Sequence, residues 1–249
     1  MKTNGHFMPI IAIVLLLSLM LSACSTGNEA NIQGSITPAT QDSATAGSST
    51  QDSEAPAETT GSSMSLGRIE GGTYTNTYAG FAIDLNSNWT YYTAQELQEL
   101  PDNIADLFED TDVGESLDSL TQITDMMAES VEDLTSINVL YQKLDMTTRL
   151  AYATMDTGAI LDSVLEQKDM LVDAYKQAGF DVQTLEKVTV TFLGEEQVAL
   201  KMKAQTSGVD YYTLQIGYYH LGQYSTTITF ASFVEDKTEQ LLELCRPLS

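Results

Sequence analysis

Positive charge is scarce in this sequence. Eleven Lys and Arg stand against 35 Asp and Glu, a formal net charge of −24 over 249 residues. Such a surface repels phosphate backbones and excludes a nucleic-acid partner. Cysteine is nearly absent too. Cys24 and Cys245 sit at opposite ends of the chain, so no disulfide scaffold holds this fold. Histidine is limited to His6 and His220, and no HExxH, CxxC, GxxxxGK[ST] or G-x-S-x-G pattern occurs. The common zinc, redox, phosphate-loop and serine-hydrolase sites are therefore missing, and the sequence implies no cofactor, no metal and no catalytic residue. Charged residues amount to only 18%, while 43% are apolar, the balance of a packed globular protein rather than of an acidic tail.

The longest apolar run lies at the start. After Lys2, residues 7–21 are almost continuously apolar, too short for the ~20 residues that cross a bilayer but suited to a signal peptide. The run ends in Leu21-Ser22-Ala23-Cys24, which resembles the bacterial lipobox. The resemblance implies lipidation of the Cys24 thiol, cleavage between Ala23 and Cys24, and membrane attachment through the lipid. Ser25 is not the Asp that retains many Gram-negative lipoproteins at the inner membrane, which favours the outer face of a Gram-positive cell membrane.

Composition changes abruptly over 25–67. Ser, Thr, Ala, Gly and Gln dominate, with no aromatic residue and no Lys or Arg. Such a segment buries too little apolar surface to offset its ordering entropy and is expected to be a disordered tether. Its 43 residues give a reach of roughly 35 Å as a flexible coil. The expected organisation is a signal peptide over 1–23, a lipidated cysteine and tether over 24–68, and one folded domain over 69–249.

Aromatic and β-branched residues return in that domain. Residues 73–78 and 81–85 read as strands, and a turn at Asn86-Ser87-Asn88 delivers the only tryptophan, Trp89. Thr93 and Glu96 have capping-box spacing and open a helix that Pro101 interrupts, with a further short helix over 103–109. Residues 124–128, open also to a helical reading, and 136–144 read as strands. Ile160, Leu161, Val164, Leu165, Leu171, Val172, Tyr175 and Ala178 define one long amphipathic helix ending at Gly179. Residues 187–192 and 197–204 form a hairpin. Setting Val188, Val190 and Phe192 on the same face as Met202, Leu200 and Val198 predicts a three-residue loop at Gly194-Glu195-Glu196. That register places Lys187 opposite Lys203, with Lys201 diagonal. A second hairpin pairs Leu214, Ile216 and Tyr218 with Phe230, Ile228 and Thr226. A terminal helix over 236–245 buries Leu241, Leu242 and Cys245. Hairpins with segregated helices indicate an α+β fold.

Tyr74-Thr75-Asn76-Thr77-Tyr78-Ala79-Gly80-Phe81, the following Trp89, Asn138-Val139-Leu140-Tyr141, Phe192-Leu193-Gly194 and Ile228-Thr229-Phe230 before a terminal helix resemble the PsbP-like family. Asn86-Ser87-Asn88 replaces that family's usual proline. The resemblance implies one antiparallel sheet covered by helices on both faces, and a non-enzymatic binding or assembly role.

Two charged features are candidate contact sites for a partner. Residues 69–142 hold 15 Asp or Glu and no Lys or Arg. Within them Asp110, Asp112 and Glu115 suggest calcium but fail EF-hand spacing, and they read as a solvated face or a docking face for a cationic partner. Lys187, Lys201 and Lys203 form the predicted positive spot, either a partner contact or a guard against edge-to-edge aggregation. His220 reads as a polar residue at the sheet rim. The expected function is a lipid-anchored, extracytoplasmic binding or assembly module with an envelope protein partner. The alternatives are a solute- or ion-binding lipoprotein and an envelope hydrolase.

Overall fold

The computed structural model describes residues 65–99, 122–219 and 222–248. Cys24, the expected tether as far as residue 64, the acidic residues Asp110, Asp112 and Glu115, the 103–109 helix and His220 lie outside them, while residues 65–68, expected as the end of the tether, are part of the fold, with Arg68 opening the first strand.

Two antiparallel sheets face each other. The smaller has strand order β1-β2-β3-β11, from Arg68–Glu70, Thr73–Asn76, Phe81–Asp84 and Cys245–Pro247. The larger has order β4-β5-β6-β10-β9-β8-β7, from Thr90–Tyr91 (β4), Gln122–Ser130 (β5), Thr135–Lys143 (β6), Asp181–Phe192 (β7), Glu195–Thr206 (β8), Val209–Tyr218 (β9) and Tyr224–Phe233 (β10). The capping box forms as spaced. Glu96 accepts from the Thr93 amide at 2.7 Å, the Glu96 amide donates to Thr93 Oγ1 at 3.3 Å, and helix α1 follows over 94–99. Three further helices follow β6: α2 (Met146–Tyr152), α3 (Thr157–Leu165) and α4 (Lys168–Gln177). After β10 come a short helix α5 (Thr238–Leu241) and a 3₁₀ turn, Leu242–Leu244.

The large sheet is buried on both faces. On one, Leu161 and Val164 of α3 and Leu171 and Tyr175 of α4 pack on Leu185, Leu200, Met202 and Tyr211. On the other, Tyr74, Phe81 and Ile83 of the small sheet, with Leu241 and Leu242, pack on Val139, Ile216, Ile228 and Phe230. Each such side chain contributes ~1.5–3 kcal/mol on burial, so each face is a substantial core. The α+β class stands as read. The covering of the second face differs from the expectation: a second sheet and the terminal turn occupy it, not a helical layer.

Burial of both faces also explains the largest error of register. The β7–β8 hairpin pairs Val190 with Gln197, Val188 with Ala199 and Lys187 with Leu200, around a two-residue turn at Leu193-Gly194. Both turn residues have positive φ, 54° and 85°, the geometry of a type I′ turn. The two apolar rows point in opposite directions. Val188, Val190 and Phe192 meet the small sheet, while Leu200, Met202 and Ala204 meet the helices. With a core on each side, matching hydrophobic rows does not fix the register.

The β9–β10 hairpin has the predicted register, Leu214 with Phe230, Ile216 with Ile228 and Tyr218 with Thr226. The long helix is instead two, α3 and α4, with a bend at Glu166-Gln167 where Gln167 adopts φ −102°, ψ 21°. The apolar stripe runs unbroken through that bend because Val164 and Leu171 are seven residues apart. Helix α2 was not foreseen. Its signal is Asp145, whose carboxylate accepts from the Thr148 amide at 2.9 Å as an N-cap. The terminal helix is shorter than expected: Cys245 lies in β11, paired with Ile83 of β3, not on a helix.

Candidate functional site: an acidic groove at the C-terminal turn

The three lysines lead to the site by a different route from the one expected. Lys187 points to the helix face, where its ammonium lies 2.6 Å from Asp162 of α3. Lys201 and Lys203 point to the opposite face. Lys203 pairs with Asp210 at 3.1 Å and lies over the Tyr212 ring. Lys201 sits between Asp236 and Glu239, at 3.0 and 2.9 Å. Burial alone would lower its ammonium pKa, but the Glu239 and Asp236 carboxylates more than offset this and hold it above its ordinary range. The three therefore form no exposed positive spot. The structure separates them and neutralises each one.

Lys201 in fact fastens α5 to the sheet. Between that turn and the tip of the β7–β8 hairpin runs a groove of about 930 Å³. Val190, Leu193, Leu242 and Pro247 give it apolar walls, and Glu239, Glu243 and Arg246 give it charge. Arg246 is engaged by Asp84 at 2.7 Å, and Glu239 by Lys201. Glu243 is exposed and makes no ion pair among the described residues. The groove thus presents a free carboxylate. It is also framed by two strand edges. β7 is one of the two outer strands of the large sheet, and β11 one of the two of the small sheet.

The groove also holds a thiol, that of Cys245. Burial, with Asp84 nearby, pushes its pKa up to about 12, so it stays protonated and weakly nucleophilic at neutral pH. Among the described residues no histidine lines the groove to act as its base. Among the described residues no cluster of three or more His, Cys, Asp or Glu has metal-binding geometry. No described helix is long and apolar enough to cross a membrane.

A second polar site lies where the tether would enter the domain. Asp125 occupies a bulge in β5, where the register shifts between Thr124 and Met126. Its carboxylate accepts from the Gly67 amide at 2.8 Å and from the Tyr74 hydroxyl at 2.6 Å. Asn76 in turn donates to Tyr74 at 2.8 Å. Burial raises the Asp125 pKa, and the bonds from Tyr74 and Gly67 oppose it. All partners are satisfied within the network, which pins Gly67 to the sheet. The sequence carried no warning of this site, because a bulge aspartate looks like any other acid.

These features define an α+β domain of two antiparallel sheets with a preformed acidic groove. No family model matches the chain, and no curated protein matches it. Among solved structures it is similar to the solution structure of the cyanobacterial PsbP, CyanoP, of Synechocystis sp. PCC 6803. The TM-score is 0.39 and the identity 10%, over 69% of this chain and 85% of that one.

Proposed function

We propose that this chain is a non-enzymatic binding or assembly module of the cell envelope. It is attached by lipid at Cys24 after cleavage from Ala23, and stands on the extracytoplasmic face of a Gram-positive cell membrane. The tether that starts at Cys24 and ends where Gly67 is pinned to the sheet holds the domain clear of the lipid, and an envelope protein docks in the groove. The observation that carries this reading is the groove itself. It joins apolar walls, a free Glu243 carboxylate and two strand edges, and its only thiol is held protonated. Such a surface suits a cationic, extended segment that adds to a strand edge, and the chain's overall negative charge steers such a partner inward. Asp110, Asp112 and Glu115 add to that field and remain candidate contacts. Lys187, Lys201 and Lys203 bear on docking chiefly by holding α3, α5 and β9 in place.

Crosslinking in intact cells followed by purification from membranes tests the reading. One reproducible envelope partner, lost on Glu243→Lys, is expected. Recovery of the protein alone, or in a soluble fraction with Cys24 unmodified, contradicts it.

A further inference from the structure

The chain has three arginines, and two of them are held by carboxylates: Arg68 by Glu70 at 2.8 Å and Arg246 by Asp84 at 2.7 Å. The third, Arg149 of α2, makes no ion pair among the described residues. Its guanidinium is thus the one arginine head group that the described carboxylates leave unpaired. Arg149 lines a hollow of about 390 Å³ together with Met146, Leu150, Ala153, Tyr219 and Gly222. None of these lining residues is acidic. Met146 and Leu150 are 67% and 64% exposed, among the most exposed large apolar side chains described, and they sit one helical turn apart on the rim. The floor includes Tyr219, only 5% exposed, whose hydroxyl finds no hydrogen-bond partner among the described residues.

We propose that this hollow binds a small organic anion with a compact apolar body, its carboxylate or phosphate on the Arg149 guanidinium and its body against Met146, Leu150 and Ala153. Three observations converge on that chemistry. Guanidinium forks pair with carboxylate and phosphate oxygens in a bidentate manner. The exposed apolar rim is costly in water and gains by being covered. The volume falls at the lower end of the ~300–1,000 Å³ typical of small-molecule sites. A purely inorganic anion would leave the rim wet, and an uncharged apolar molecule would leave the arginine unused. The hollow shares no lining residue with the acidic groove, so this proposal stands or falls apart from the docking reading.

The test is calorimetric titration of the full-length protein, held in phosphatidylcholine nanodiscs, with sodium hexanoate. Saturable binding is expected, at least about tenfold weaker in Arg149→Gln, as for the loss of one charged hydrogen-bonding partner. Partial recovery is expected in Arg149→Lys. Leu150→Asp, which alters only the rim, should weaken hexanoate as well. Acetate and hexanol should each bind more weakly than hexanoate. Hexanoate affinity unchanged by Arg149→Gln and by Leu150→Asp, or acetate binding as tightly as hexanoate, would overturn the proposal. Loss of hexanoate binding when phosphatidylglycerol replaces phosphatidylcholine would assign the hollow to a lipid headgroup, and would overturn the free-ligand proposal equally.

Discussion

Gly217 and Asn138 show how single positions set the character of the large sheet. A Cβ at Gly217 would run into the Tyr219 ring, which folds back over its own strand. Gly217→Ala is therefore expected to destabilise the domain by about 1–3 kcal/mol, the usual range for overpacking. Tyr219→Leu in the same chain should recover most of the loss, as read by chemical denaturation. Asn138 presents the opposite case. It is fully buried on β6, and neither amide atom has a hydrogen-bond partner among the described residues. An unmet buried polar group costs about 1–3 kcal/mol, and a similarly shaped apolar residue removes that cost. Asn138→Leu should therefore raise the melting temperature. A fall would mean that Asn138 is satisfied in solution. Neither effect was legible in the sequence, where Gly217 and Asn138 look like ordinary strand positions.

The elements that could be read from sequence are those with a single constraint. The β9–β10 hairpin came out in register because Leu214 and Ile216 have apolar partners directly across, and no two-residue turn competes nearby. The β7–β8 hairpin did not, because each strand serves a different core. The turn chemistry was the better guide there. Leu193-Gly194 and Ser207-Gly208 both place a non-glycine residue at positive φ before a glycine, with Ser207 at 52° and Gly208 at 79°. Asparagine tolerates that conformation better than serine. Ser207→Asn is expected to stabilise the exposed β8–β9 turn by roughly 0.5 kcal/mol, within the 1–2 kcal/mol penalty of the left-handed region. The same logic explains the groove. Its walls come from the β7 hairpin tip, α5 and β11, three elements whose bounds or register the sequence misplaced. The site could not be foreseen although every residue in it was in view. Lys201 was singled out, but as an exposed cation rather than as the fastener of α5. Lys201→Met should loosen that turn at a cost of roughly 0.5–1 kcal/mol, since the pair is only partly buried, and should increase solvent exchange at the Leu241 and Leu242 amides.

Over the whole molecule, acidity acts in two directions. Hydrogen bonds from Arg246 and Thr73 hold the Asp84 carboxyl below its ordinary range, and the Thr148 amide and hydroxyl do the same for Asp145. Burial pushes Asp236 up, but Thr238 and Lys201 more than reverse it. These groups contribute stability that is fully present above their unfolded values, near ~4, and is lost as pH falls through their lowered folded values. Asp125 and Glu129 behave oppositely. Burial raises both, so their charged forms cost stability at neutral pH, and the cost is relieved as pH falls through their raised folded values. The expected melting profile rises modestly from neutral into weakly acidic pH, aided by reduced self-repulsion of a −24 chain, and then falls steeply. Asp125→Asn should flatten the rising limb while leaving the acid fall in place.

Under the proposed function, the acidic groove receives a cationic partner at the cell envelope. The most direct measurement is photo-crosslinking in living cells from a photoreactive amino acid in place of Gln240, which is exposed on the groove wall. One discrete adduct with an envelope protein is expected, weakened by Glu243→Gln and abolished by Glu243→Lys, while the melting temperature of the protein is unchanged. An adduct insensitive to the charge at position 243, or no adduct in cells that carry the lipidated protein, would contradict it.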